Sequence, residues 1–311
     1  MSEILCIVDG MTDPAFVPSH FPTLSSMVYA GNVDTTCGSV PESLGCILRL
    51  LGTHHVPAHL RSYAEALGTD VPVGKRDLIL RGSWFSVDES GRCTRPVQAP
   101  EKLPVDVPWC SYYPMEGYKS LLVFPGMADQ ITQIHTHAPY DCAGKEAKKL
   151  APEGSSCLRV IFVDCLRQDR CLILWGQAVS AELPPYPLPA AVVCGTAIVR
   201  GIARLLGMTL LTVPGATGDT DTDLSAKVVS TLKAAEEYPF VLLHINGTDE
   251  AAHRRDRAEK TAFLRKVDEV VLSALVESGH QVKVVCDHGT DPETGLHLGG
   301  LQPMYTNSPE R

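Results

Sequence analysis

The sequence carries no surplus of positive charge: 27 lysines and arginines stand against 36 aspartates and glutamates, a formal net charge of −9. Nucleic-acid grooves and polybasic membrane faces both need clustered basic side chains, so neither nucleic acid nor membrane is expected as a partner. An anionic substrate is not excluded, because bound metal can reverse the local charge. The 11 cysteines are odd in number and none falls in a C-x-x-C pair. A chain of 311 residues can bury a core without disulfide staples. The thiols are therefore read as reduced, mostly small core residues of a cytoplasmic protein. The segment Met1–Asp9 lacks a basic n-region and a cleavage site and reads as a strand. The most apolar stretch, Ala190–Gly215, is broken by Arg200 and Arg204 and is too interrupted to span a bilayer. Neither a Walker A pattern nor a Rossmann glycine fingerprint occurs, and there is no internal repeat.

What is present is an α/β pattern at both ends of the chain. Ile4–Val8 is a short apolar run, and Thr209–Val213, Phe240–Ile245 and Val282–Cys286 are three more, alternating with helical segments. Leu224, Val228 and Leu232 mark one buried helical face; Phe263, Val267, Val270, Val271 and Leu275 mark another within about Ala258–Val276. Nearly continuous apolar strands between helices indicate a mostly parallel sheet with helices on both faces. The middle differs. Asp77–Arg81, Trp84–Val87, Ser120–Phe124, Leu158–Val163 and Cys171–Trp175 read as short strands, with Asp88-Glu-Ser-Gly91 as a hairpin turn. The stiff segment Pro184–Pro189 suits a domain junction. The expected organisation is a core from residues 1–70 and 188–311, with a smaller α+β domain inserted at 71–187.

In parallel sheets, functional groups collect beyond the carboxyl ends of the strands. Here those positions hold Asp9, then Asp249 with His253, then Asp287 and His288, with His297 nine residues further on. Asp249 and His253 are four apart and share one helical face. Carboxylate and imidazole without thiolate suit Mn²⁺ or Zn²⁺, and two ions about 4 Å apart are the usual arrangement for phosphate chemistry. Taken singly, each aspartate reads equally as a helix cap or turn former. Ser43, followed by apolar Ile47, Leu48, Leu50 and Leu51, stands at the start of a short helix. It is either a plain N-cap or a nucleophile placed where backbone N–H groups favour a phosphoryl group. His244 and His280 are read as structural histidines, and Asp219, Asp221 and Asp223 as caps of the helix that follows.

The ordered set Val8-Asp9-Gly10-Met11, Pro41-Glu42-Ser43, Val213–Thr222, Asp249-Glu-Ala-Ala-His253 and Asp287-His288 resembles the archaeal-type, cofactor-independent phosphoglycerate mutases of the alkaline phosphatase superfamily. Supporting stretches are Glu65–Gly68, Asp77–Arg81 and Gly201–Met208. The resemblance implies an alkaline-phosphatase-like core. It also implies one metal on Asp9, Ser43, Asp287 and His288, and a second on Asp249, His253 and His297. Mn²⁺ is expected, with Zn²⁺, Co²⁺ and Mg²⁺ as the other candidates. Ser43 would take the phosphoryl group of a small phosphorylated carboxylic acid and return it to the other hydroxyl. Arg81, Lys119, His137 and Lys227 are the candidate substrate contacts. Where relatives carry Gly-His-Arg, this chain has Gly117-Tyr118-Lys119, so a bidentate guanidinium contact is replaced by a point charge. Three functions stay open: a mutase, a phosphatase or phosphotransferase on another phosphorylated metabolite, and an inactive metal-binding regulatory protein.

Overall fold

The computed structural model describes residues 2–139, 142–168 and 170–308. The chain forms two compact units, Met1–Val56 with Leu183–Arg311, and Pro57–Glu182. In chain order, the first unit begins with β1 (Glu3–Val8), α1 (Pro22–Ser26), β2 (Val28–Asp34) and α2 (Ser43–Leu50). The second contains α3 (Arg61–Gly68), β3 (Leu78–Val87), β4 (Cys93–Pro96), β5 (Ser111–Pro114), β6 (Lys119–Phe124), α4 (Ser156–Leu166) and β7 (Arg170–Ala178). The first unit resumes with β8 (Ala190–Val193), α5 (Ala197–Leu205), β9 (Thr209–Leu210), α6 (Leu224–Glu237), β10 (Phe240–Ile245) and α7 (Gly247–His253). It ends with α8 (Arg257–Lys266), α9 (Ser273–Glu277), β11 (Gln281–Val285), β12 (Gly289–Asp291), β13 (Leu296–Leu298) and β14 (Leu301–Thr306).

The first unit is built on a seven-stranded sheet in the order β2-β14-β11-β1-β10-β8-β9. From β11 to β9 all pairings are parallel, and β14 and β2 add two antiparallel strands at one edge. The central strand β1 is buried almost throughout because parallel neighbours flank it on both sides. Ile4, Cys6, Val8, Val241, Leu243, Val282 and Val284 form a core with Phe263, Val267, Val271 and Leu275. The helix expected over 258–276 is interrupted by a π-helical stretch, Val267–Leu272. Its Asp268 is only 2% exposed, and its carboxylate accepts the Thr23 and Leu24 N–H groups at 3.0 and 2.8 Å. A side chain distant in sequence thus satisfies the first turn of α1.

The second unit is an antiparallel sheet in the order β4-β3-β6-β5, with β7 also paired to β3. The two short runs expected at 77–81 and 84–87 are one strand, β3. Leu158–Val163 is a helix rather than the expected strand. Leu158, Ile161, Phe162 and Cys165 are its buried positions, a helical spacing that overrides the strand preference of Val and Ile. The insert also starts earlier than residue 71, because α3 packs on β3 and β7 within this unit.

Glu65 of α3 explains that packing. Its carboxylate pairs with the Arg81 guanidinium and lies 3.6 Å from Arg61 Nη2, and both guanidinium groups stack over Trp175 at 5.7 and 4.8 Å. Burial raises the Glu65 pKa, but the charges of Arg81 and Arg61 outweigh it and leave the group below its ordinary value. Its stabilisation is therefore present above the ordinary carboxylate range and is lost as the pH falls through the lowered folded-state value. Glu65→Gln is expected to cost about 3–5 kcal/mol at neutral pH, since it takes the carboxylate from the buried Arg81 guanidinium. Urea unfolding checks this; the deficit should shrink at acid pH, and an unaltered midpoint at neutral pH would contradict it.

Candidate metal centre

Strand register brings the ligand-type residues together. Val8 of β1 pairs with Ile245 of β10, and Ile7 pairs with Val285 of β11. Asp9, Asn246 and Asp287 therefore leave the sheet at one height, at the carboxyl edge of the parallel strands. Beyond β10 the chain turns directly into α7, whose i, i+4 spacing places the Asp249 carboxylate 3.2 Å from His253 Nε2. The β12–β13 hairpin pairs Thr290 with His297 and so returns an imidazole to the same place. Gly10 has φ +66° and sits where a Cβ would lie 2.7 Å from Asp249 Cα. Only glycine permits this close approach of β1 and α7.

Ser43 is the first residue of α2 and not its N-cap, which is Glu42. Ser43 Oγ donates to Asp9 Oδ2 at 3.4 Å and stands 3.1 Å from His288 Nε2. His288 Nε2 is in turn 3.6 Å from Asp9 Oδ1 and 3.5 Å from Asp287 Oδ2. His297 Nε2 lies 3.0 Å from His253 Nε2 and 3.6 Å from Asp249 Oδ1. Among the described residues, two sets have donor atoms within 4.8 Å of one another: Asp249, His253 and His297, and Asp9, Asp249 and His288. The sequence expectation divides the ligands into two separate groups; the structure makes Asp249 common to both.

The electrostatics fit divalent cations. Asp9 Oδ1 and both Asp287 oxygens are buried with no hydrogen-bond partner among the described residues. Burial, then the neighbouring Asp287 and Asp249 charges, push the Asp9 carboxyl well above its usual range. Burial works against Asp249, yet the facing imidazoles of His253, His288 and His297 hold its carboxyl well below that range. Burial also opposes protonation of His253, but the Asp249 charge raises it to about 9; burial and then His288 push His297 down to about 4. His253 Nδ1 faces the Gly295 carbonyl at 2.9 Å and His297 Nδ1 the Pro41 carbonyl at 2.7 Å. A carbonyl only accepts, so Nδ1 carries a hydrogen in both rings; His253, its pKa raised, holds a second proton on Nε2, and a cation that displaced it would meet the Nε2 lone pairs of both rings. A shared cation satisfies that arrangement, and the donor set of carboxylates and imidazoles without thiolate suits Mn²⁺ or Zn²⁺.

His244, read from the sequence as a structural histidine, lies against this centre. His244 is 1% exposed on β10, and its Nε2 lies 3.3 Å from Asp9 Oδ2. It stands opposite Ile7, two residues before Asp9 on the same face, so only the pairing of β1 with β10 reveals it. Burial lowers its pKa to about 4, which keeps the ring neutral. Two of the four candidate substrate contacts prove to be engaged elsewhere. Arg81 is spent on Glu65, and Lys227 is fully buried, its Nζ donating to the Thr217 and His244 carbonyls at 3.1 and 3.3 Å. Burial lowers the Lys227 pKa to about 8. Lys119 opens β6, its Nζ 5.6 Å from the Tyr118 ring, and His137 is exposed; both belong to the second unit. Among the three aspartates expected to cap α6, Asp223 does so, accepting the Ala226 N–H at 2.8 Å. Asp219 instead pairs with Arg254, and Asp221 accepts from Thr217 Oγ1.

A family profile described as the metalloenzyme superfamily matches residues 180–306. The chain is 34% identical over 293 residues to a 2,3-bisphosphoglycerate-independent phosphoglycerate mutase of Metallosphaera sedula, covering 80% of this chain and 71% of that one. Identity to the corresponding mutase 2 of Methanothermobacter thermautotrophicus is 28% over 215 residues, 60% of this chain. That match spans 53%, about half, of the relative's length. A solved structure from Pyrococcus horikoshii has a TM-score of 0.72 at 20% identity, over 98% of this chain and 87% of that one, which shows a shared fold.

Proposed function

The chain belongs to the family of 2,3-bisphosphoglycerate-independent phosphoglycerate mutases, and from that premise we propose that it interconverts 3- and 2-phosphoglycerate through a phosphoserine at Ser43. The observation that carries this reading is the Ser43 hydroxyl. The N-cap position is held by Glu42, and the Ser43 oxygen, one residue inside the helix, contacts Asp9 and His288.

Asp9, Ser43, Asp287 and His288 would hold one divalent ion and His253 and His297 the other, with Asp249 within reach of both. When bound, the ions supply positive charge at the attacking and leaving oxygens and lower the pKa of the alcohol. The remaining work belongs to the chain itself. Asp9 Oδ2 receives the Ser43 hydrogen bond and is the acceptor closest at hand for its proton among the carboxylates. The N–H groups of the first turn of α2 face a phosphoryl group carried on Ser43 Oγ. Thr248 Oγ1 donates to the Asp9 carbonyl and fixes the backbone that presents the carboxylate. The phosphoryl group then returns from Ser43 to the other hydroxyl of the bound glycerate.

A second reading keeps this chemistry and changes the substrate to another small phosphorylated carboxylic acid; the commitment of Arg81 to Glu65 favours it, because one expected anion contact is already neutralised. The Mn²⁺-loaded protein is expected to convert 3-phosphoglycerate to 2-phosphoglycerate, followed by coupling to enolase, with no added bisphosphoglycerate. Release of inorganic phosphate alone would make the protein a phosphatase. No reaction with phosphoglycerate, but turnover of another phosphorylated three- or four-carbon acid, would establish the second reading.

A further inference from the structure

Thr290 lies between the two sets of ligand-type residues. It is the middle residue of β12 and is 0% exposed. Its hydroxyl donates to Asp249 Oδ1 at 2.6 Å and stands 3.5 Å from His288 Nδ1. A hydroxyl has one proton and two lone pairs, and an ionised carboxylate can only accept. With its proton given to Asp249, Thr290 can only accept from His288, which places the ring hydrogen on Nδ1. The Gly289 carbonyl, 3.3 Å from the same nitrogen, requires the same tautomer. His288 Nε2 then keeps its lone pair and presents it toward Asp9, Asp287 and Ser43. The other Asp249 oxygen, Oδ2, is left facing His253 at 3.2 Å.

The backbone around Thr290 is held firmly. Its N–H donates to the Thr12 carbonyl at 3.0 Å, and its own carbonyl accepts from Lys260 Nζ at 2.7 Å. Lys260 is 2% exposed and is neutralised by Asp13 Oδ2 at 2.9 Å. The backbone that carries the hydroxyl is therefore fixed by two other segments of the chain.

We infer that Thr290 is a positioning residue that couples the two metal positions, one hydroxyl orienting the carboxylate common to both and selecting the metal-binding tautomer of His288. This rests on the two-metal reading above. Outer-shell hydrogen bonds of this kind govern metal affinity by about 10–100-fold. The test is calorimetric titration with Mn²⁺, with bound metal counted by elemental analysis, on wild type, Thr290→Val and Thr290→Ser. Valine keeps the shape and removes the hydroxyl; serine keeps the hydroxyl and removes the methyl. Wild type and Thr290→Ser are expected to bind two ions with similar affinity, and Thr290→Val to bind both about 10–100-fold more weakly. Thermal unfolding in chelator should not separate the folded variants from wild type. If the valine protein does not fold, Thr290→Ala carries the same expectation. Unchanged affinity without the hydroxyl, weakening at one position alone, or a serine variant as weak as valine would each overturn the inference. If wild type itself fails to bind two ions, the two-metal reading fails and takes the inference with it, whereas a wild-type stoichiometry of two with any of the preceding results removes the inference alone.

Discussion

Ser43→Ala is expected to lower turnover of the proper substrate by at least about 10³-fold, the scale of loss when a covalent nucleophile is removed. Folding should be almost untouched. The serine follows the N-cap Glu42 rather than serving as the cap, and alanine is the better helix former at a helical position. The ligands that flank it, Asp9, Asp287 and His288, stay in place, so metal content should remain close to that of wild type. Three measurements separate the possibilities: the steady-state rate, metal by elemental analysis, and covalent labelling by radiolabelled phosphoglycerate. Wild type should acquire label and the variant none. A variant that keeps activity within about tenfold of wild type, or that still labels, would remove Ser43 as the phosphoryl carrier.

Asp249→Asn should have a comparably large effect by a different route. Asp249 is the one carboxylate found in both sets of converging donors, so its neutralisation weakens both metal positions together. The expected result is a fall from two bound ions to one or none and a rate loss of at least about 10³-fold. Stability under chelation should fall as well. Without cations the Asp249 carboxylate is held ionised by the facing imidazoles, above all His253 at 3.2 Å, whose own pKa it raises to about 9. Removing that charge leaves the buried imidazolium without its partner, so the chelated variant should be less stable than chelated wild type. Metal bound at a hundred times its dissociation constant adds about 2.7 kcal/mol to wild type, so EDTA should lower the wild-type Tm and leave that of the variant nearly unchanged. Two tightly bound ions in Asp249→Asn would refute its shared role.

The convergence of Asp9, Asp249 and Asp287 at one edge of the sheet was legible because it follows from strand direction. A run of apolar residues ending in Asp9, Asp287 or the Asn246–His253 segment needs only the rule that parallel strands present function at their carboxyl ends. His244 was not legible. It sits inside Phe240–Ile245, where every residue is buried, and burial alone cannot distinguish a core histidine from one set beneath Asp9. Arg81 misled for a related reason. Following Leu78-Ile-Leu80, it reads as a cation at a strand end, yet β3 continues past it and Glu65 of α3 neutralises it. The segment Leu158–Val163 shows the same limit in secondary structure: its apolar residues satisfy a short strand or a helix until something packs against one side.

By itself, then, the sequence determined the alternation of strand and helix, the interruption of the core by a second unit, and the set of carboxylates, imidazoles and one serine at the strand ends. These depend on local periodicity and chain direction, both written along the chain. Tertiary structure decided the rest: the sharing of Asp249 between two donor sets, the placement of His244 under Asp9, the bond from Thr290 to Asp249, and the withdrawal of Arg81 and Lys227 into pairings of their own. Each of those contacts joins residues far apart in sequence or depends on which strands become neighbours. Register and long-range packing, rather than local propensity, choose the partner a buried polar group must have.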